Sequence, residues 1–174
     1  MVKGTCWVAD DYVMAYDIIV SEHWTSPIDP IENSKIVMSG VKEEFNRENG
    51  FKDKGYTFIV ANHNFAGGGK SIEHVITGLM GAGIKGVFAT SFARLQFRNA
   101  INYGLPFITC DDIHLACETG DELEFDEASG IIKNITKGTE MQSVPVAPFV
   151  AEVSESGGLM NYVRDKIAKG EPIG

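Results

Sequence analysis

The 174-residue sequence predicts an α/β fold with a parallel βαβαβ core and an added β-hairpin, and three observations carry that reading. Tyr56 to Ala61 (YTFIVA) is a short apolar run of β-branched and aromatic residues, the signature of a buried strand. Just beyond it, Ile72, Val75, Ile76, Leu79 and Met80 fall at i, i+3, i+4, i+7 and i+8, one face of a helix. The alternation then repeats, with Ile84 to Thr90 as a strand, Phe92 to Tyr103 as a helix and Phe107 to Cys110 as a strand. Strands and helices alternating at this spacing build a right-handed unit with parallel neighbours.

The remaining elements follow in chain order. Residues 4 to 9 (GTCWVA) suit a first strand, broken by Asp10-Asp11. Val13 to Val20 fits a strand or a short helix equally well. Ser21 to Asn33 (SEHWTSPIDPIEN) has two prolines and no periodicity, so it reads as a long loop, either a lid or an irregular surface connection. Val37 to Arg47 is expected to be helical, ending before Asn49-Gly50, and Lys52 to Gly55 to turn into the central strand. Gly81 to Gly83 closes the first core helix, and Gly104 followed by Pro106 stops the second. Asp121 to Asp126 (DELEFD) alternates acidic and apolar residues, 127–130 turn, and Ile131 to Thr136 returns: a hairpin with one wet face. Pro145 and Pro148 flank an apolar run of open assignment, and a final helix starts after Gly157-Gly158, with Leu159, Tyr162, Val163 and Ile167 on one side.

Composition narrows the function. A chain of this length is most simply one domain with a real core. A net charge of −9 without a basic run argues against nucleic-acid binding. No apolar run approaches a membrane span and the N-terminus lacks a signal-type apolar stretch, so the cytoplasm is the expected compartment. Cys6, Cys110 and Cys117 are odd in number and scattered, which suits buried free thiols rather than disulfides or a complete iron–sulfur site. Cys110-Asp111-Asp112 with His114 can be drawn as a metal cluster, but a strand end carrying two acids accounts for it more simply.

The candidate site is Asn62-His63-Asn64-Phe65-Ala66-Gly67-Gly68-Gly69-Lys70-Ser71-Ile72-Glu73-His74, a glycine loop between a strand and a helix. Ligands on parallel sheets sit beyond the carboxyl ends of the strands, where this loop lies. Glycines let the backbone approach a ligand, and the leading amides and dipole of the helix suit a carboxylate or phosphate. Lys70 adds a cation and Ser71 a hydroxyl. The structural alternative is a tight turn with Ser71 as N-cap and Lys70 in solvent. A nucleotide-binding alternative also exists, because Asn64-x4-Gly69-Lys70-Ser71 is one residue from a P-loop and the strand ending at Asp111 imitates its acidic partner. Arg94 and Arg98 are expected to pair with Asp111 or Asp112, and His74 to be packed rather than catalytic.

Longer motifs carry a resemblance. Ser91 to Pro106 (SFARLQFRNAINYGLP) is close to SFARIFFRNAINNGLP of the 3-isopropylmalate dehydratase small subunits, the swivelling domain of the aconitase superfamily. Phe51 to Gly55, Asn64-Phe65, Gly120 to Leu123 and Gly157-Gly158-Leu159 with Tyr162 also fit; residues 50 to 168 match well and the first 50 poorly. The resemblance implies a three-layer β/β/α swivelling domain of the aconitase and LeuD small-subunit type. It implies reversible dehydration of a hydroxy-dicarboxylic acid, in leucine biosynthesis, together with an iron–sulfur large subunit. A [4Fe-4S] cluster on that partner would bind the leaving hydroxyl as a Lewis acid, with no metal on this chain. The small subunit would supply a serine base and a carboxylate-holding arginine from a loop of the form G-x-G-S-S-R-E-H.

This sequence departs there, with Gly67-Gly68-Gly69-Lys70-Ser71-Ile72-Glu73-His74. Aligned on Glu73-His74, the arginine falls on Ile72 and the catalytic serine on Lys70. Aligned on Asn64-Phe65, the loop holds one extra residue. The N-terminal D-D-x-D-T-D-x-I-I-P pattern survives only as Asp10-Asp11 and Ile18-Ile19, and the 21–33 loop has no arginine or lysine. The expected assignment is Ser71 as base, with Gly68, Gly69 and Lys70 holding a substrate carboxylate; Lys70 as base and a non-catalytic homologue remain alternatives.

Overall fold

The computed structural model describes residues 1–10, 12–24 and 26–173. Its strands and helices are β1 (Val2–Val8), α1 (Ala15–Ile18), α2 (Pro30–Ile36), β2 (Phe58–Ala61), α3 (Glu73–Gly81), β3 (Gly86–Ala89), α4 (Arg94–Tyr103) and β4 (Phe107–Thr109). They continue with α5 (Ile113–Ala116), β5 (Glu122–Asp126), β6 (Ile131–Asn134), β7 (Thr139–Gln142), α6 (Pro148–Glu155) and α7 (Leu159–Lys169). One seven-stranded sheet runs in the order β4-β3-β2-β1-β5-β6-β7. The β1 to β4 half is parallel, with Cys6 opposite Phe58, Phe58 opposite Gly86 and Val87 opposite Phe107. The β5 to β7 half is antiparallel and joins through β1, where Gly4 faces Leu123.

Because side chains alternate across a strand, the parallel half feeds two cores. Trp7, Ile59, Ala61, Val87, Ala89 and Phe107 point to the helical side, against residues of α1, α3 and α4. Cys6, Phe58, Val60, Phe88 and Ile108 point the other way and meet Leu123, Phe125 and Ile132 of the antiparallel half. Phe88 lies 5.1 Å from both Phe58 and Phe125, ring centroid to centroid. The sheet therefore curls over itself, and the Val144 amide after β7 donates to the Thr109 carbonyl of β4 at 2.8 Å. Two β layers and one helical layer result, as expected.

The core helices and strands lie where the sequence placed them, but the first 50 residues differ. The expected helix over 37–47 is absent; Met38 has φ 67° and only a 3-10 turn at Glu43–Phe45 forms there. The helix sits earlier, as α2 inside the stretch read as a loop. Asp29 explains it: its carboxylate accepts from the Ile31 and Glu32 amides, and Pro30 occupies the first helical turn. Gly78 and Gly81 of α3 leave room for α2 to pack backbone to backbone, an added Cβ at Gly81 running into the Pro30 carbonyl. Val13 to Val20 resolves as α1 with flanking extended backbone. The hairpin gains a third strand, β7, and the apolar run after Pro145 becomes α6. Among the described residues no helix is long and apolar enough to cross a membrane.

Candidate active site at the glycine loop

The loop leaves β2 at Ala61 and is clamped on both flanks. On one side the Asn64 amide donates to Ser91 Oγ at 2.8 Å, the Phe65 amide to the Ser91 carbonyl at 3.1 Å, and the Ala93 amide to the Phe65 carbonyl at 3.0 Å. On the other side the Ala66 amide donates to the Val13 carbonyl and the Ala15 amide to the Gly67 carbonyl, each at 2.9 Å. The buried Phe65 ring packs edge-on against Phe92 and Phe107, with centroids 6.4 and 6.0 Å away. These contacts hold Asn64 and Ala66 in the left-handed region at φ 52° and 60°, an unfavourable conformation for residues with a Cβ. Gly68 follows at φ 97°, where a Cβ would come within 2.9 Å of Tyr16 Cε1.

Beyond that platform the chain surfaces: Gly68, Gly69, Lys70 and Ser71 are all exposed. Ile72 then dives back into the helical-side core and occupies the N-cap position of α3. No side chain caps that helix. Ser71 as N-cap is thereby overturned, because Ser71 Oγ pairs instead with Asn99 of α4: Asn99 Nδ2 donates to it at 3.1 Å, and the hydroxyl reaches Asn99 Oδ1 at 3.4 Å. Gln96, also on α4 and fully buried, donates from Nε2 to the Lys70 carbonyl at 3.1 Å and accepts from Asn99 Nδ2 at 3.3 Å. The structure thus brings Gly68, Gly69, Lys70 and Ser71 to one exposed arc at the carboxyl edge of the parallel strands. It adds Gln96 and Asn99, which sequence reasoning passed over. Their signal was polar residues three apart on a face that also carries the buried Ala100.

The expected pairing of Arg94 and Arg98 with Asp111 or Asp112 is not formed. Among the described residues the side chains of Lys70, Arg94 and Arg98 are exposed and enter no ion pair, whereas most of the other lysines do. In a chain of net charge −9 the arc and the helix beside it therefore carry uncompensated positive charge. His74 is packed, as expected, with Nε2 2.9 Å from the Ser26 carbonyl, tying the 21–28 segment to α3. Trp24 Nε1 donates to the Ile19 carbonyl at 2.7 Å and holds the same segment from its other end. Within it, Thr25 lies outside the described residues, as does Asp11 of the Asp10-Asp11 remnant; Asp10 pairs with Lys42 at 3.3 Å. Glu73 accepts from Tyr103 Oη at 2.9 Å, and burial together with that bond pushes the Tyr103 hydroxyl up to about 12.

A P-loop is not what this loop makes. Lys70 and Ser71 lie ahead of α3, whose N-cap is the extended Ile72, rather than in the first turn of the helix as the strand–GxxxxGK[ST]–helix motif requires, and the amides at 64, 65 and 66 are spent on Ser91 and Val13. A cluster site is equally absent from this surface. Cys6, Cys110 and Cys117 are buried in the sheet-on-sheet core; burial pushes the Cys110 thiol up to about 11, and contact with Cys117 plus burial raises Cys6. Among the described residues no three His, Cys, Asp or Glu side chains converge as metal ligands. A mostly apolar cavity of about 260 Å³ between α4, β4 and α6 is lined by none of the loop residues, and its polar side chains are Thr109, Glu127 and Ser154.

Comparison with known proteins agrees with this fold. Residues 18–112 match the Aconitase C-terminal domain. The isopropylmalate/citramalate isomerase small subunit of Methanocaldococcus jannaschii is 39% identical, covering 98% of each chain. The 3-isopropylmalate dehydratase small subunit of Caldicellulosiruptor bescii is 37% identical over 88% of this chain and 89% of its own. A crystal structure of 3-isopropylmalate dehydratase (LeuD) from M. jannaschii superposes with a TM-score of 0.84 at 32% identity, covering 97% of this chain and 96% of that one. The likeness therefore extends through the first 50 residues, which the motifs matched poorly. Fold and relatives agree, and the chain belongs to the family of 3-isopropylmalate dehydratase small subunits, built on the aconitase C-terminal domain.

Proposed function

We propose that this chain is one swivel domain that acts with a large subunit as a hydro-lyase, dehydrating and rehydrating a hydroxy-dicarboxylic acid related to 3-isopropylmalate. One observation carries the reading: an exposed hydroxyl, held by an amide, stands at the uncapped start of α3 beside an unpaired lysine. Dehydration needs a group that takes a proton from carbon and a group that holds the neighbouring carboxylate. Ser71 Oγ suits the first role. As an alkoxide it would accept the proton, and the Asn99 N–H and the positive end of α3 would stabilise its charge before transfer. Lys70, with the Gly68 and Gly69 backbone, suits the second role, as a point charge rather than a bidentate clamp.

The [4Fe-4S] cluster implied by the family belongs in this reading to the large subunit, since among the described residues no ligand set converges. Exposure of the whole arc fits a site completed by a second chain. Absence of activity in the intact pair would favour a non-catalytic homologue. The test is Ser71→Ala in the complex of this chain with its own large subunit, assayed with 3-isopropylmalate by the ultraviolet absorbance of the unsaturated acid. Turnover should be lost while the subunits still co-elute; full retained activity removes the assignment.

A further inference from the structure

The loop has lost residues that its family uses, and α4 differs from the family pattern at a position that touches the loop. In SFARIFFRN the sixth residue is phenylalanine; here it is Gln96. A glutamine side chain with no exposed surface must have its amide satisfied, because an unpaired buried amide is costly. Gln96 satisfies both ends: Nε2 on the Lys70 carbonyl at 3.1 Å and Oε1 under Asn99 Nδ2 at 3.3 Å. The bond that Gln96 donates to the Lys70 carbonyl fixes which end of Gln96 faces Asn99, and that in turn fixes which end of Asn99 faces Gln96. Asn99 Nδ2 has two hydrogens. With one on Gln96 Oε1, the other is delivered to Ser71 Oγ at 3.1 Å.

We propose that Gln96 is a positioning residue for the base: through Asn99 it locks an N–H donor onto Ser71 Oγ and anchors the altered loop by the Lys70 carbonyl. Neutral Ser71 tolerates either end of the Asn99 amide, donating to Oδ1 or accepting from Nδ2, and the structure has both within reach. Its alkoxide tolerates only the donor. An amide free to turn would present its oxygen to a negative charge for part of the time, raising the energy of the reactive form. With phenylalanine at 96 nothing would hold the amide, whereas in this chain the glutamine does.

This inference rests on Ser71 being the base, and the experiment separates the two. In the intact complex with 3-isopropylmalate, Gln96→Leu is expected to lower kcat by about 10–100-fold, the usual cost of losing a group that orients a reacting one. KM should stay within about twofold, because no substrate contact is lost. Gln96→Glu is nearly isosteric and decides the matter if Gln96→Leu fails to assemble. Its ionised carboxylate cannot donate to the Lys70 carbonyl but its protonated form can, so its kcat relative to the native complex should recover as pH falls. A purely structural role would give a matching loss of assembly without that pH-dependent recovery. If Ser71→Ala is inactive and both Gln96 variants keep the native kcat and pH profile, the positioning role is overturned and the base stands. If Ser71→Ala is fully active, both fall.

Discussion

In the register aligned on Glu73-His74, replacing Ile72 by arginine puts back the residue of the G-x-G-S-S-R-E-H pattern that the loop resembles, and the structure predicts that the replacement harms the protein. Ile72 is only 6% exposed and lies in the helical-side core. Removing that burial forfeits about 1.5–3 kcal/mol. The guanidinium must then stay buried without an acceptor, at a cost of several kcal/mol, or swing outward and drag the 69–71 backbone with it. The cheaper route still brings the total to about 3–5 kcal/mol. At roughly 2–4 °C per kcal/mol for a chain of this size, the melting temperature should fall by about 10 °C. Ile72→Val, which keeps the shape and loses one methylene, should cost only about 1 kcal/mol. Thermal unfolding followed by circular dichroism measures both, and 3-isopropylmalate turnover by the complex should fall for Ile72→Arg. An I72R protein melting with the native one and turning over faster would show that position 72 faces substrate, and would refute the register in which Ser71 is the base.

Two further outcomes follow from the same contacts. Phe65→Ala should cost about 3–5 kcal/mol and should also release the exposed arc, so that trypsin cuts after Lys70 faster than in Phe88→Ala, a matched cavity in the opposite core; equal cleavage rates at equal stability would show that Phe65 does not hold the loop. Asp121 is nearly buried, which alone would raise its carboxyl; the bonds from Asn134 Nδ2 at 2.7 Å and the Glu118 amide at 2.9 Å, with Lys137 3.6 Å away, outweigh burial and hold it below the usual range. A depressed folded value contributes stability that is present above the unfolded value near 4 and is lost as pH falls through the folded one. Native melting temperature should therefore drop below about pH 4, and Asp121→Asn should be less stable at neutral pH with a flatter acid limb; an unchanged acid limb would contradict the assignment.

The parallel core was legible because its signals are local. β2 is a continuous apolar run, α3 shows its face at helical spacing, and Gly104 at φ 75° ends α4 where the sequence placed the stop. The N-terminal 50 residues were harder for an equally local reason. Prolines at 27 and 30 look like loop punctuation, yet Asp29-Pro30 is a helix start, and only the direction of the chain afterwards separates the two. The missed strand β7 (TEMQ) is an edge strand, mostly exposed, with no apolar alternation to read. Gly81 was read as a stop signal; its place in the fold is a close approach of α2, which depends on a helix the sequence had placed elsewhere.

The site divides along the same line. Glycines, a lysine and a serine between a strand and a helix could be picked out from one stretch of chain, because each residue type has few reasons to be there. Gln96 and Asn99 could not, because what ties them to the loop is a neighbour 26 or 28 residues earlier, brought against α4 by the order of β2 and β3 in the sheet. The strain at Asn64 and Ala66 was hidden too, since neither residue advertises a left-handed backbone. That strain bears on how far the family loop can be altered. Because the bonds from Ser91 and Val13 fix the chain up to Gly67 whatever follows, the arc from Gly68 to Ser71 starts from a set position and direction. It is then the return anchor, Ile72 in the core and Gln96 on the Lys70 carbonyl, that decides where the hydroxyl ends up. Where the Ser71 hydroxyl stands is therefore set by α4 as much as by the sequence of the loop itself.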